Sequence, residues 1–290
     1  MAESPLRPIR RCVSNSNAMS PFLRHIEACR NADLPGGRLA FRLGPTATPV
    51  GWLRPDVAAF VRRCPGVADT QDGVTLADPG ALQDLARALV AGGHGRWRSE
   101  AFDVRADPDG PALAQVDRGL LPVLGIQAQG VHVNGLVRGE DGLSLWVAVR
   151  AADKLLDPNK LDHIVAGGIA AGMTPMQTLV KEAAEEAAIP AELAATARLV
   201  GRVDYAMDRR EGLRRDRLHC YDLDLPREFT PRPSDGEVAE FVLWPLTRAV
   251  GVVRDSDAFK FNVNLVLIDL FLRHRLIEGE EAATLRAALA

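Results

Sequence analysis

The chain has 290 residues, 47 % apolar and 25 % charged, with a formal net charge of −3. That length points to two domains or one large one with a real core, and the charge excludes a polyanion-binding surface at the whole-chain level. No apolar run approaches the roughly 20 residues that span a bilayer, and Cys12, Cys29, Cys64 and Cys220 form neither a CxxC pair nor a metal-type spacing with histidine, so they read as reduced thiols of a cytoplasmic protein.

In chain order, residues 1–20 lack the apolar stretch of a secretion signal and read as a disordered leader. "PFLRHIEACRNA" has helical spacing, and "GGRLAFRLG" and "TPVGWLRP" read as short strands. Pro55 suits the first turn of a helix over "DVAAFVRRC". "PGALQDLARALVAGG" is an amphipathic helix ended by glycine. "RWRSEAFDVRA" alternates like a strand, and "ADPDGPAL" is a turn-rich break. The domain boundary is placed near 110–125, giving an α+β first domain over 21–120 and a second domain over 121–290.

In the second domain "GVHVNGLVR" and "LSLWVAVRA" flank Gly139–Gly142, a hairpin signal. "DHIVAGGIAAGMTP" reads as a glycine-rich loop, after which Thr174 caps a helix over 175–188 with Pro175 in its first turn. "ATARLVGRVDYAMD" and "RLHCYDLDLP" read as strands joined by an arginine-rich turn, 209–217, expected to be exposed; it is the one basic patch that a nucleic acid would need. "EVAEFVLWPL" is a further strand and "VNLVLIDLFLRHRLI" a closing helix, an α/β or α+β sandwich pattern. Trp97, Trp146 and Trp244 read as core residues.

The helix carries Glu182, Glu185 and Glu186 on one face, because each residue turns about 100°. Like charges at this spacing repel by roughly a few tenths of a kcal/mol per pair, so water, a lysine or a divalent metal must offset them. Lys181, four residues before Glu185, is one offset; three carboxylates on one face also suit Mg²⁺ or Mn²⁺. Upstream, "AGGIAAG" lets a phosphate or metal approach the main chain.

From Gly167 the sequence runs G-x5-M-x7-K-E-A-x-E-E-x-A-I, which resembles the Nudix box, G-x5-E-x7-R-E-U-x-E-E-x-G-U, with U aliphatic. The resemblance implies an α/β/α sandwich with a mixed sheet, here preceded by a smaller α+β domain. It also implies a loop–helix–loop that holds divalent metal, Mg²⁺ or Mn²⁺, against a diphosphate. Gly167 matches the leading glycine, and Glu182, Glu185 and Glu186 match the helix glutamates, the last two usually the main ligands. Lys181 stands where arginine is usual, Ala188 where glycine is, and Met173 where the first glutamate is. "WRSEAFDV", "GVHVNGLV", "KLDHIVAGGI", "YDLDLPREFTPRPSDGEVAEFVLW" and "FKFNVNLVLIDLFLRH" resemble the Nudix branch related to thiamine pyrophosphokinase. That branch implies hydrolysis of thiamine diphosphate, or its oxidised forms, to the monophosphate.

The expected chemistry is metal-assisted substitution at phosphorus, with Glu185 and Glu186 as ligands supported by Glu182. Glu237, just before a strand, is the first choice of general base and Glu240 the second; the alternative for Glu237 is a solvated loop charge. Expected substrate contacts are Gly167, Gly168, Lys181, His132, Asn134, Lys154 and Asn262, with Lys260 beside the last. His132 and Asn134 share a strand face and serve equally as structural hydrogen-bonding groups. The expected partner is a small diphosphate, with neither nucleic acid nor membrane, and a homodimer stays open. Two further readings stand: a pyrophosphohydrolase for ADP-ribose or nucleotide-sugar substrates, and a ligand-sensing module without turnover. The three glutamates argue against the sensor, and Met173 mildly for it.

Overall fold

The computed structural model describes residues 20–153 and 157–290; the leader expected over 1–20 lies outside the described residues except for Ser20, and Lys154 lies outside them altogether. The first part of the chain folds as α1 (Leu23–Cys29), β1 (Leu39–Leu43), β2 (Gly51–Leu53), α2 (Pro55–Val61), β3 (Val67–Thr70), β4 (Gly73–Leu76), α3 (Leu82–Ala91), β5 (Ala101–Val104), β6 (Ala114–Asp117) and α4 (Leu121–Leu124). There follow β7 (Gln127–Gly139), β8 (Gly142–Arg150), β9 (Leu161–His163), β10 (Val165–Gly168), α5 (Pro175–Ala187), α6 (Ala191–Ala194), β11 (Arg198–Arg209), β12 (Gly212–Asp224), β13 (Val238–Pro245), α7 (Leu246–Asp255), α8 (Val263–Arg273) and α9 (Gly279–Leu289).

A four-stranded sheet, β2-β1-β4-β3, carries α2 and α3 on a core that includes Phe41, Leu53, Val57 and Leu89. A seven-stranded sheet runs β11-β12-β7-β8-β13, with β10 added to β7 and β9 to β8. It is mixed: β7 and β12 are parallel and its other pairs antiparallel. The period-two alternation of β7 decides its two faces. Val131 and Val133 meet Leu179, Ala183 and Ala187 of α5, while Leu136 meets Leu267 and Phe271 of α8 on the other face. This is the expected α/β/α sandwich behind a smaller α+β region.

Three expectations change. The stretch 161–168 is two strands, not loop, because β7 and β8 offer it hydrogen-bonding edges. The arginine turn is a tight hairpin whose arginines are mostly engaged: Arg209 and Arg214 lie over Phe261, and Arg217 holds Asp204. Trp97 is 36 % exposed with Arg87 over its ring, whereas Trp146 and Trp244 are buried as expected. Helix α1 precedes the four-stranded sheet in the chain, yet Phe22 and Ile26 pack with α8 and α9. Arg30 fastens it there through the carbonyls of Ala288 and Leu289.

Candidate active site

Helix α5 starts where the sequence expects. Thr174 and Gln177 form a reciprocal capping box, with Pro175 in the first turn. The helix ends at Ala188, which takes the left-handed conformation at φ 53°, the role that glycine fills most cheaply. Leu179, Ala183 and Ala187 anchor the buried stripe, leaving Glu182 and Glu185 toward the open side and Glu186 at the seam. Strand β10 lies beside the helix. A Cβ on Gly167 would come 2.4 Å from Glu182 Cγ, so glycine is required there for Glu182 to fold back over the strand.

Glu186 is 7 % exposed, and its Oε2 accepts the Ala166 N–H at 2.9 Å. It makes no ion pair among the described residues, yet it faces a narrow cleft shared with Glu237, Asp162, His163 and Arg150. The loop before β13 brings Glu237 there. Arg232 N–H donates to the Ala187 carbonyl at 3.1 Å and Ser234 Oγ to the Glu185 carbonyl at 2.5 Å, draping the segment over the end of α5. Glu240 is exposed on β13 and is not part of this cleft.

The charges in the cleft are unequal. Burial pushes the Glu186 carboxyl well above the usual range; the Ala166 N–H opposes this, and Asp162, Glu182 and Glu237 add to it. Burial also raises Glu182, against the pull of Lys181. Lys181 donates to Glu185 at 2.5 Å and to Glu182 at 3.3 Å, so the lysine offset expected from the spacing is present. For Asp162, burial is outweighed by Lys260 at 3.3 Å and Arg150 at 2.7 Å, and the carboxyl is held below its ordinary range.

Behind the cleft lies a buried polar network. His132 Nδ1 and His163 Nδ1 are 2.9 Å apart, and burial lowers both rings, His163 to about 4, so both are neutral near pH 7. Asn262 Nδ2 is 3.5 Å from His132 Nε2, and Asn134 donates to Asp222 at 2.9 Å. His132 and Asn262 thus lie in this network, Asn134 forms a separate buried pair with Asp222, none of the three lines the cleft, and Lys260 approaches it through Asp162. Asp162, His163 and Arg150 were not singled out in the sequence. The available signal was two polar residues, Asp162 and His163, opening an otherwise apolar run.

Two groups invite comparison as holders of a divalent cation. His132, Asp162 and His163 bring ligand atoms within 4.8 Å of one another, but Asp162 already serves two cationic side chains that would repel an ion. Glu182 and Glu186, with Glu237 across the cleft, supply hard oxygen donors and mutual repulsion that a cation relieves, so these residues fit Mg²⁺ or Mn²⁺. Glu185, on the open side, is available once it leaves Lys181. Met173 packs among partly buried apolar residues with Met176 and Val180.

The first unit touches the site. The Phe102 ring on β5 lies where a Cβ on Gly168 would sit, 2.7 Å from Cζ. Ala171 N–H donates to the Ala101 carbonyl at 2.8 Å and Gly172 N–H to Asp103 at 3.2 Å. Strand β5 therefore clamps the loop that leads into the acidic helix.

Residues 128–263 match the family model of the NUDIX domain. The chain is 41 % identical over 183 residues to Nudix hydrolase 24, chloroplastic, of Arabidopsis thaliana, covering 63 % of this chain and 50 % of that protein. It is 38 % identical over 188 residues to Nudix hydrolase 20, chloroplastic, of the same plant, covering 65 % and 50 %. The chain thus spans about half the length of these curated relatives. Among solved structures, the MutT protein of Methanosarcina mazei Go1 aligns at 16 % identity and a TM-score of 0.39, covering 51 % of this chain and 95 % of that one. The sheet, the capped acidic helix and the matched residues together make 128–263 of this chain a NUDIX domain.

Proposed function

We propose that the chain is a divalent-metal-dependent pyrophosphohydrolase. The observation that carries this reading is Glu186: a buried carboxylate without an ion-pair partner among the described residues, facing a cleft shared with Glu237. When a divalent cation is bound, its charge neutralises diphosphate oxygens and acidifies an attacking water. Glu186 and Glu182 would hold the cation, with Glu185 completing the set. Glu237, which lines the same cleft, would take the proton from that water. Arg150 and Ala166 line the cleft in which phosphates would lie, while Gly167 and Gly168, expected from the sequence to meet substrate, are covered by Glu182 and Phe102 and are not among its lining residues. As in other phosphoryl transfer, the protein contributes mainly position and electrostatics.

The finer reading is thiamine diphosphate or its oxidised forms, cut to the monophosphate. It is supported by the sequence resemblance of the stretches around Trp97, His132, Asp162, Tyr221 and Asn262. ADP-ribose or nucleotide-sugar substrates are the alternative.

The test is a panel of diphosphates with Mg²⁺, thiamine forms and ADP-ribose included, following phosphate or monophosphate release. Turnover of a thiamine diphosphate form is expected. Release from ADP-ribose alone would replace that substrate, and release from none would sink the hydrolase reading. Glu186→Gln is expected to lower turnover roughly a thousand-fold, several kcal/mol of transition-state stabilisation.

A further inference from the structure

A second concave surface lies between the two units and shares no lining residue with the glutamate cleft. Its volume is about 520 Å³, within the range that small ligands occupy. Apolar walls come from Pro49, Val50 and Pro108, and Gln127, Arg30 and Arg215 supply polar groups.

The charges around it do not cancel. Asp204, its one acidic side chain, is held by Arg217 through two hydrogen bonds of 2.9 and 2.7 Å. Arg105, a third lining arginine, is paired with Asp103. Arg30 and Arg215 have no carboxylate, side-chain or terminal, within 4.0 Å among the described residues. Arg30 donates to the carbonyls of Ala288, Leu289 and Asp204. Among the described residues the Arg215 side chain makes one hydrogen bond, to the Gly125 carbonyl at 3.3 Å, which leaves most of its five donors unused there. A guanidinium stays charged even where burial disfavours it; Asp204 acts on Arg215 only from beyond ion-pair distance and is itself held by Arg217, so a bound anion supplies the direct counter-charge that Arg215 lacks.

We propose that this groove is an anion-binding site for a small phosphate-bearing molecule, with Arg215 as its principal contact and Arg30 as supporting charge. Two guanidiniums with no carboxylate in ion-pair contact among the described residues match a dianionic phosphate better than a single carboxylate. The planar fork of Arg215 suits paired phosphate oxygens, and the apolar walls accept the rest of a phosphorylated metabolite.

The full chain is titrated with inorganic phosphate by calorimetry, in EDTA so that the glutamate cleft holds no cation. Saturable one-site binding is expected, weakened at least ten-fold in Arg215→Gln and unchanged in Glu186→Gln. In a measurement that needs no variant, phosphate is expected to protect Arg215 from phenylglyoxal, read by peptide mass mapping. Absence of saturable binding, wild-type affinity in Arg215→Gln, loss of binding in Glu186→Gln, or equal labelling of Arg215 with and without phosphate would each overturn the proposal.

Discussion

Asp162 and Glu186 are two buried carboxylates on one cleft, and their surroundings drive their proton affinities apart. Asp162 sits between Arg150 and Lys260 and also accepts the His163 N–H at 2.9 Å. Glu186 has one backbone N–H and other carboxylates near it. The first arrangement is complete within the chain and holds structure together. The second is electrostatically incomplete among the described residues, the contrast on which the proposed cation-binding role of Glu186 rests. Burial alone does not separate the two; the partners do.

The largest way to break this contrast is to neutralise each carboxylate in turn. Asp162→Asn takes the carboxylate away from between the mostly buried Arg150 and Lys260 and is expected to destabilise the fold by about 3 kcal/mol. Glu186→Gln removes a buried, uncompensated charge and is expected to leave stability unchanged or higher in EDTA. Urea unfolding of both variants checks this, and equal losses would erase the distinction. A smaller effect follows from pH. The folded-state value of Glu186 is raised, so the folded protein keeps this proton after the unfolded chain has released it. Without metal, stability should therefore fall as pH rises from the ordinary carboxylate range through that raised value, by up to about 1.4 kcal/mol per pH unit. Saturating Mg²⁺ or Glu186→Gln should flatten that slope; a slope unaffected by either would place its origin elsewhere. The smallest effect lies at the end of the helix that presents Glu186. Ala188 pays for a left-handed φ of 53°, so Ala188→Gly is expected to stabilise by up to about 1 kcal/mol, seen as a rise in Tm with metal affinity retained.

Much of the site was legible because its signals are local. The helical spacing of Glu182, Glu185 and Glu186, the Thr174 cap, the Lys181 pair and Gly167 all depend on residues within a few turns of one another. Glu237 was readable only as a charge before a strand; its place in the cleft depends on Ser234 and Arg232 reaching the end of α5. The arginine turn read as exposed because nothing in residues 209–217 announces Phe261 or Asp204 as neighbours.

The amino-acid order alone determined the acidic helix, its cap, the alternating strands and the mixed α/β character, since each follows from backbone geometry and short-range periodicity. Tertiary structure decided the rest. It made strands of a glycine-rich stretch by offering it the edges of β7 and β8, and set Phe102 of the first unit against Gly168. It also gave Asp162 two cations, Arg150 from the neighbouring strand and Lys260 from 98 residues on, while giving Glu186 none among the described residues. Whether a buried carboxylate is neutralised within the chain or left short of positive charge is set by charges brought near it in space, and those charges lie on other strands and loops.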